Sequence, residues 1–205
     1  SKLEKYPVFG HWVLGQLGVN PRSLKNSISR WVKQGLVIRL RQGLYTLRQK
    51  DQKAQSSSYY LANQIYPPSY VSLEYALQFY DMVPEGVFEI TSVTSKKTIS
   101  FSNQLGKFSY THIKQEAFTG YLSLKDQYNN NFLIASREKA LLDFLYLRTR
   151  HLKKIDINIF EKSYRLQNLD DIDCVKLKSM STVFKSKKLD SLTKMLINYI
   201  QEEWQ

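Results

Sequence analysis

Between Asn20 and Gly35 the apolar residues Leu24, Ile28, Trp31 and Val32 fall at i, i+4, i+7 and i+8, so they share one helical face. The spacing predicts a helix from Pro21 to about Gln34. Asn20 is placed to cap its free backbone N–H groups, Pro21 takes the first helical position, and Gly35 supplies a left-handed stop. Arg22, Lys25, Asn26, Ser29, Arg30 and Lys33 form a second stripe opposite the first, with Ser23 beside them and no acid among them. Upstream, Phe9 through Leu17, with Trp12, Val13 and Leu17, reads as a shorter helix, and Gly18-Val19-Asn20 as the tight turn between the two. Downstream, Leu36, Ile38 and Leu40 alternate with Val37, Arg39 and Arg41. Gln42-Gly43 and the run Leu44-Tyr45-Thr46-Leu47 then complete a β-hairpin.

Helix, turn, helix and hairpin in that order predict a winged helix-turn-helix over residues 1–53. A helix with one apolar face and one basic, hydrogen-bonding face suits the major groove, where Arg, Lys and Asn reach purine edges and phosphates. A merely solvated helix face more often mixes both signs of charge. Arg39, Arg41 and Gln42 on the hairpin are expected to meet the flanking backbone or minor groove, and Arg48 to add a phosphate contact. Winged helices also serve as protein-docking modules, which is the competing reading.

The pattern changes after Lys50. Residues 50–58 are almost entirely polar and read as an exposed, flexible junction. From residue 59 to 205 the chain predicts a second domain. Ser72, Leu73, Ala76, Leu77 and Tyr80 have helical spacing, ending before Pro84. The runs 87–93, 98–101, 107–113 and 132–135 are rich in β-branched and aromatic residues and are bounded by turn formers such as Asn103 and Gly106. Ser136 caps a helix to about Leu147, and two or three more helices close the chain, the last from about Leu189 to Trp204. The expected fold class is α+β: a winged helix-turn-helix, then a mainly antiparallel sheet with several C-terminal helices.

Charge sharpens the division. The chain of 205 residues has a net charge of +12, and residues 1–53 hold eleven Lys or Arg against two Asp or Glu, a local +9. Such a concentration favours duplex nucleic acid as the partner. A single cysteine, Cys174, excludes an intramolecular disulfide and suits a reducing, cytoplasmic setting, and no apolar run is long enough to span a bilayer. Neither a phosphate-cradling glycine loop, a His-Glu-x-x-His pair nor a Cys-x-x-Cys unit occurs, so no metal, cofactor or enzymatic activity is expected. His11, His112 and His151 are scattered. Glu138 and Asp143 sit about 140° apart around one helix and do not form a carboxylate pair. Two basic clusters in the second domain, Lys96-Lys97 and Arg148, Arg150, Lys153 and Lys154, are candidate RNA or nucleotide contacts, or else solvated faces.

The succession Tyr70-Val-Ser-Leu-Glu-Tyr-Ala-Leu77, Ile90-Thr-Ser-Val-Thr-Ser-Lys96, Gly106-Lys-Phe-Ser-Tyr-Thr-His-Ile113 and Ile134-Ala-Ser-Arg-Glu-Lys-Ala-Leu-Leu-Asp143 adds a further indication. Together with Arg41-Gln-Gly-Leu-Tyr45 in the hairpin, it resembles the AbiEi family of type IV toxin-antitoxin systems. The resemblance implies an N-terminal winged helix that binds operator DNA and represses its own operon. It also implies a C-terminal domain that counters a nucleotidyltransferase-like toxin without a stable complex. The family pattern has Pro at the position of Arg137 and Gly at that of Asp81, both at helix ends. The alternatives are a transcriptional regulator whose second domain senses a ligand or dimerises, and a nucleic-acid-processing enzyme. Sequence sets neither the operator nor the oligomeric state.

Overall fold

The computed structural model describes residues 2–15, 21–152 and 156–203, without the side chains of Lys2, His11, Leu14, Gln49 and residues 21–25. Its first part runs through a 3-10 turn at Lys2–Lys5, β1 (Phe9–Gly10), α1 (His11–Gly15), α2 (Pro21–Lys33), β2 (Val37–Arg41) and β3 (Leu44–Leu47). The strands form an antiparallel sheet in the order β1-β3-β2. Gly35 takes φ +67 and donates to the Val32 carbonyl at 3.0 Å, which ends α2 as its sequence predicts. The expected cap at Asn20 and the turn at Gly18-Val19-Asn20 lie outside the described residues.

Two details depart from the pattern. Phe9 lies in β1, pairs with Tyr45 and stacks on its ring at 6.1 Å, so α1 starts later than expected. Leu36 is exposed whereas Val37 is buried, because the small sheet is covered on both faces. Val37, Tyr45 and Leu47 join Ile28, Phe9 and Val13 in a small core under α2, with Trp31 and Val32 packed against it. Leu40, Leu44 and Val8 instead enter the larger core of the rest of the chain. Alternation along a strand sends successive side chains to opposite faces, and here both faces are apolar surroundings.

The connector is pinned rather than loose. Gln49–Asp51 forms a 3-10 turn. Lys53 and Ala54 donate their backbone N–H groups to the Glu4 carbonyl at 3.1 and 3.0 Å. Gln52 Nε2 donates to Thr46 Oγ1 and the Leu47 carbonyl, Asn130 Nδ2 to the Gln55 carbonyl, and the Ser57 N–H to Asp126. Polarity that reads as solvation is spent on satisfying backbone groups at a junction.

The second part contains α3 (Ser58–Ile65), β4 (Ser69–Val71), α4 (Leu73–Phe79), β5 (Glu89–Thr94), β6 (Ile99–Asn103), β7 (Gly106–His112), β8 (Tyr121–Lys125) and β9 (Asn131–Ala135). It continues with α5 (Arg137–Arg148), a π-helical turn at Ile159–Ser163, α6 (Cys174–Ser181) and α7 (Lys187–Glu203). Six strands are ordered β6-β7-β5-β4-β9-β8. The sheet is mostly antiparallel, as expected, with β4-β5, β6-β7 and β8-β9 paired that way, but mixed, since β5 pairs with β7 and β4 with β9 in parallel. Together with its helices this is an α+β architecture.

Register shows how the sheet is covered. Tyr70 opposes Val93, which puts both on one face. Ser92 opposes Val71 and Tyr110, which puts those three on the other. The Tyr70 hydroxyl reaches Asp143 of α5, while the Tyr110 hydroxyl donates to the Ala62 carbonyl of α3 at 2.7 Å. Helix α5 thus covers one face and α3 the other, which accounts for the continuous burial of β4 and most of β5. Ser57, Ser136 and Asp173 cap α3, α5 and α6 by accepting from the N–H three residues on. Leu192, Leu196, Tyr199 and Ile200 of α7 face inward as their spacing predicts.

Candidate nucleic-acid interface

The side chains of Asn26, Ser29, Arg30 and Lys33 project from α2 into solvent, while Ile28 on the opposite face is 2% exposed. The helix is therefore oriented by its apolar stripe, and the polar stripe is what it presents. Arg22, Ser23 and Lys25 occupy the first turns of α2, but their side chains lie outside the described residues. No described carboxylate pairs with Arg30, Lys33 or Arg39, so these charges are available to a polyanion. Arg39 is exposed on β2 opposite Tyr45, and Gln42 is exposed at the hairpin turn. Four polar or basic residues on the helix and two on the hairpin are thus exposed.

Arg41 is not among these exposed residues. A register shift between Arg39 and Arg41 turns its side chain away, and its Nε donates to the Ile65 carbonyl and its Nη1 to the Gln42 carbonyl. The guanidinium fastens the hairpin tip to α3. Arg48 is likewise committed, at 2.8 Å from Asp51. An ionic partner already at hand leaves little net charge for DNA.

The basic clusters of the second part separate in the structure. Arg148 makes a bidentate pair with Glu74 at 2.6 and 2.8 Å, which holds its pKa above the usual value. The pair ties α5 to α4. Arg150 lies 4.5 Å over the Tyr146 ring and is otherwise exposed, and Lys153 and Lys154 lie outside the described residues. Lys96 and Lys97 are exposed in the β5–β6 turn beside His112. Lys96 Nζ donates to the Pro67 carbonyl at 2.6 Å and sits 5.5 Å over the Tyr66 ring, both neutral partners.

A buried polar network escapes sequence reasoning. Lys139 and Asp143, one helical turn apart on α5, pair at zero exposure. Asp143 also accepts from the Tyr70 hydroxyl at 2.9 Å and the Ser72 hydroxyl at 2.8 Å, while Lys139 donates to Tyr70. Burial pushes Lys139 down and Asp143 up from their ordinary values, each held back by the other. Burial also raises Tyr70. Ser72 thereby gives up its capping bond to α4, and the next residue, Leu73, is fully buried at φ +59. The signal available in sequence was a Lys and an Asp at i, i+4, the Lys immediately before and the Asp inside the otherwise apolar run from Ala140 to Leu145. Tyr70, Ser72, Lys139 and Asp143 are all fully buried, so the network lies within the core and ties β4 to α5.

Among the described residues no cluster of three or more His, Cys, Asp or Glu is placed to hold a metal ion, and no helix is long and apolar enough to cross a membrane. No protein-family model matches the chain, and no characterised protein matches it with significant similarity.

Proposed function

We propose that the chain is a DNA-binding regulator whose residues 1–53 act as a winged helix, with α2 as the helix that enters the major groove. The observation that carries this reading is the exposed stripe of Asn26, Ser29, Arg30 and Lys33, free of acidic neighbours on α2 and backed by Ile28 in the small core. The β1-β3-β2 sheet with two preceding helices and a short hairpin supports it, as does the local +9 charge. Arg39 and Gln42 are the hairpin residues suited to the flanking backbone. On the resemblance to the AbiEi family, the regulated operon is the protein's own, and the second part opposes a nucleotidyltransferase-like toxin.

The backbone supports that resemblance at the two positions where the sequence departs from the pattern. Arg137 is the first residue of α5, where Pro is favoured, and Asp81 takes φ +55, where Gly is favoured. A gel-shift titration against DNA upstream of the reading frame tests the regulator. Arg30→Ala and Asn26→Ala are expected to lower affinity and blur sequence preference. Unchanged binding by the double variant overturns the groove assignment. Co-expression with the adjacent open reading frame tests the antitoxin role, which fails if growth is the same with and without this chain.

A ligand-responsive regulator is a second reading, on one observation. A cleft of about 540 Å³ lies between the hairpin and the second part, lined by Leu47, Gln52, Tyr59, Phe79 and Phe132 among others, within the usual size of small-molecule sites.

A further inference from the structure

We infer that the turn carrying Lys96 and Lys97, with His112, is a second DNA contact that extends the footprint beyond the hairpin along the phosphate backbone. This rests on the DNA-binding reading above and adds a site outside residues 1–53.

A chain of contacts places the turn beside the hairpin tip. Arg41 is anchored on the Ile65 carbonyl, the ring of the next residue, Tyr66, lies under Lys96 Nζ, and Lys96 Nζ is held by the Pro67 carbonyl. Tyr66 also packs on Phe101 and Tyr110 at 5.9 and 5.3 Å, so the platform under Lys96 is rigid. The open concavity here, about 610 Å³, is lined by Tyr66, Ser95, Lys96, Lys97, Thr98 and His112, none of them acidic. His112 Nδ1 lies 2.9 Å from the Lys96 carbonyl, which can only accept, so Nδ1 donates to it and the ring braces the turn. Two ammonium groups and the neighbouring hydroxyls of Ser95 and Thr98, without a carboxylate in the lining, form a surface for phosphate oxygens, and it offers nothing that distinguishes one base from another.

Docking of the hairpin makes the site consequential. Because Arg41 is used to hold the tip down, the hairpin itself brings only Arg39 and Gln42 to a duplex. A duplex gripped by α2 and continuing past the tip runs toward the Lys96 turn, which supplies the cations that the tip lacks.

Fluorescence anisotropy with the full chain tests this on three probes: a 40-bp duplex from upstream of the gene, a 16-bp duplex with the same centre, and a 20-nucleotide single-stranded RNA. Lys96→Ala/Lys97→Ala is expected to weaken binding to the 40-bp duplex on the order of tenfold at 0.1 M salt. It should also flatten the log–log salt slope by about 2, at roughly 0.9 for each phosphate that the variant no longer neutralises. On the 16-bp duplex the variant should match the wild type. Circular dichroism of the variant should equal the wild type and its melting should shift little, since the contacts Lys96 loses, to the Pro67 carbonyl and the Tyr66 ring, lie at an exposed turn.

Equal affinity and slope for variant and wild type on the 40-bp duplex overturns the site while leaving α2 in place. A loss confined to the RNA probe also overturns it and reassigns the turn to RNA. Absence of salt-dependent wild-type binding to either duplex overturns the DNA-binding reading itself, and this site with it.

Discussion

Lys139 and Asp143 show how differently a charge behaves when its surroundings are apolar. Removing one partner leaves the other buried and unpaired, so Lys139→Met is expected to cost about 3–5 kcal/mol in chemical denaturation. Lys139→Met/Asp143→Leu should cost less than the sum of the two single changes. Binding through α2 should be unaltered in any variant that folds. Asp81 offers the opposite case: at φ +55 an aspartate is held where glycine sits freely, its backbone N–H donating to the Gln78 carbonyl and its carbonyl accepting from Gln167 and Asn168. Asp81→Gly is therefore expected to raise stability by about 0.5–1 kcal/mol, read as a higher Tm. Single residues were also where sequence reading failed most. Arg41, Arg48 and Arg148 look alike as free cations in a string of letters, yet each has a partner far or near in sequence that only folding supplies: Ile65, Asp51 and Glu74.

At the scale of elements the amphipathic helices were legible, because a 3.6-residue period over a dozen positions is a strong signal and capping residues mark its ends. α2, α5 and α7 all lie where their patterns predict. The central strand β4 was not legible: three residues between Pro68 and Ser72 carry no period of their own, and their strand character comes from pairing with β5 and β9. The edge strand β8 and helix α3 were missed for a related reason, since α3 begins inside a polar stretch whose serines serve as cap and tether. The β8–β9 turn supplies a test. Asp126 accepts from the Ser57, Tyr128 and Asn130 N–H groups, and these bonds outweigh burial to hold its carboxyl below the ordinary value. A depressed carboxylate contributes stability that is present above its unfolded pKa, near 4, and is lost as pH falls through the lower folded value. Acid titration should therefore loosen the connector below about pH 4, and Asp126→Asn should remove that part of the pH dependence at a cost of about 1–2 kcal/mol at neutral pH. Tryptophan fluorescence against pH, with limited proteolysis at residues 50–58, reads both.

The molecule as a whole is less divisible than its charge profile suggests. Composition changes sharply near residue 53, and the candidate DNA-binding face was visible there because exposed basic residues on a helix need no tertiary information to be recognised. What could not be seen was that the small sheet serves two cores at once. Val8, Leu40 and Leu44 belong to the larger one, Val37, Tyr45 and Leu47 to the smaller, and Asn103 Nδ2 donates to the Leu40 carbonyl across the boundary at 3.2 Å. Residues 1–53 expressed alone are expected to lose cooperative unfolding or to self-associate, measurable by calorimetry and sedimentation, because the buried side chains of Val8, Leu40 and Leu44 become exposed. Arg41→Ala in the full chain should lower the melting temperature without a uniform loss of salt-dependent DNA affinity, the reverse of what is expected for Arg39→Ala.

A sheet lined on both sides has no spare face to give up, and that bears on how such a protein can change its target. Grafting residues 1–53 onto another body would uncover the underside of their sheet, and fitting another module here would leave a hole above α3. On the proposed function, new operator preferences would come through substitutions on the outer surface of α2, one residue at a time, and not through exchange of whole parts.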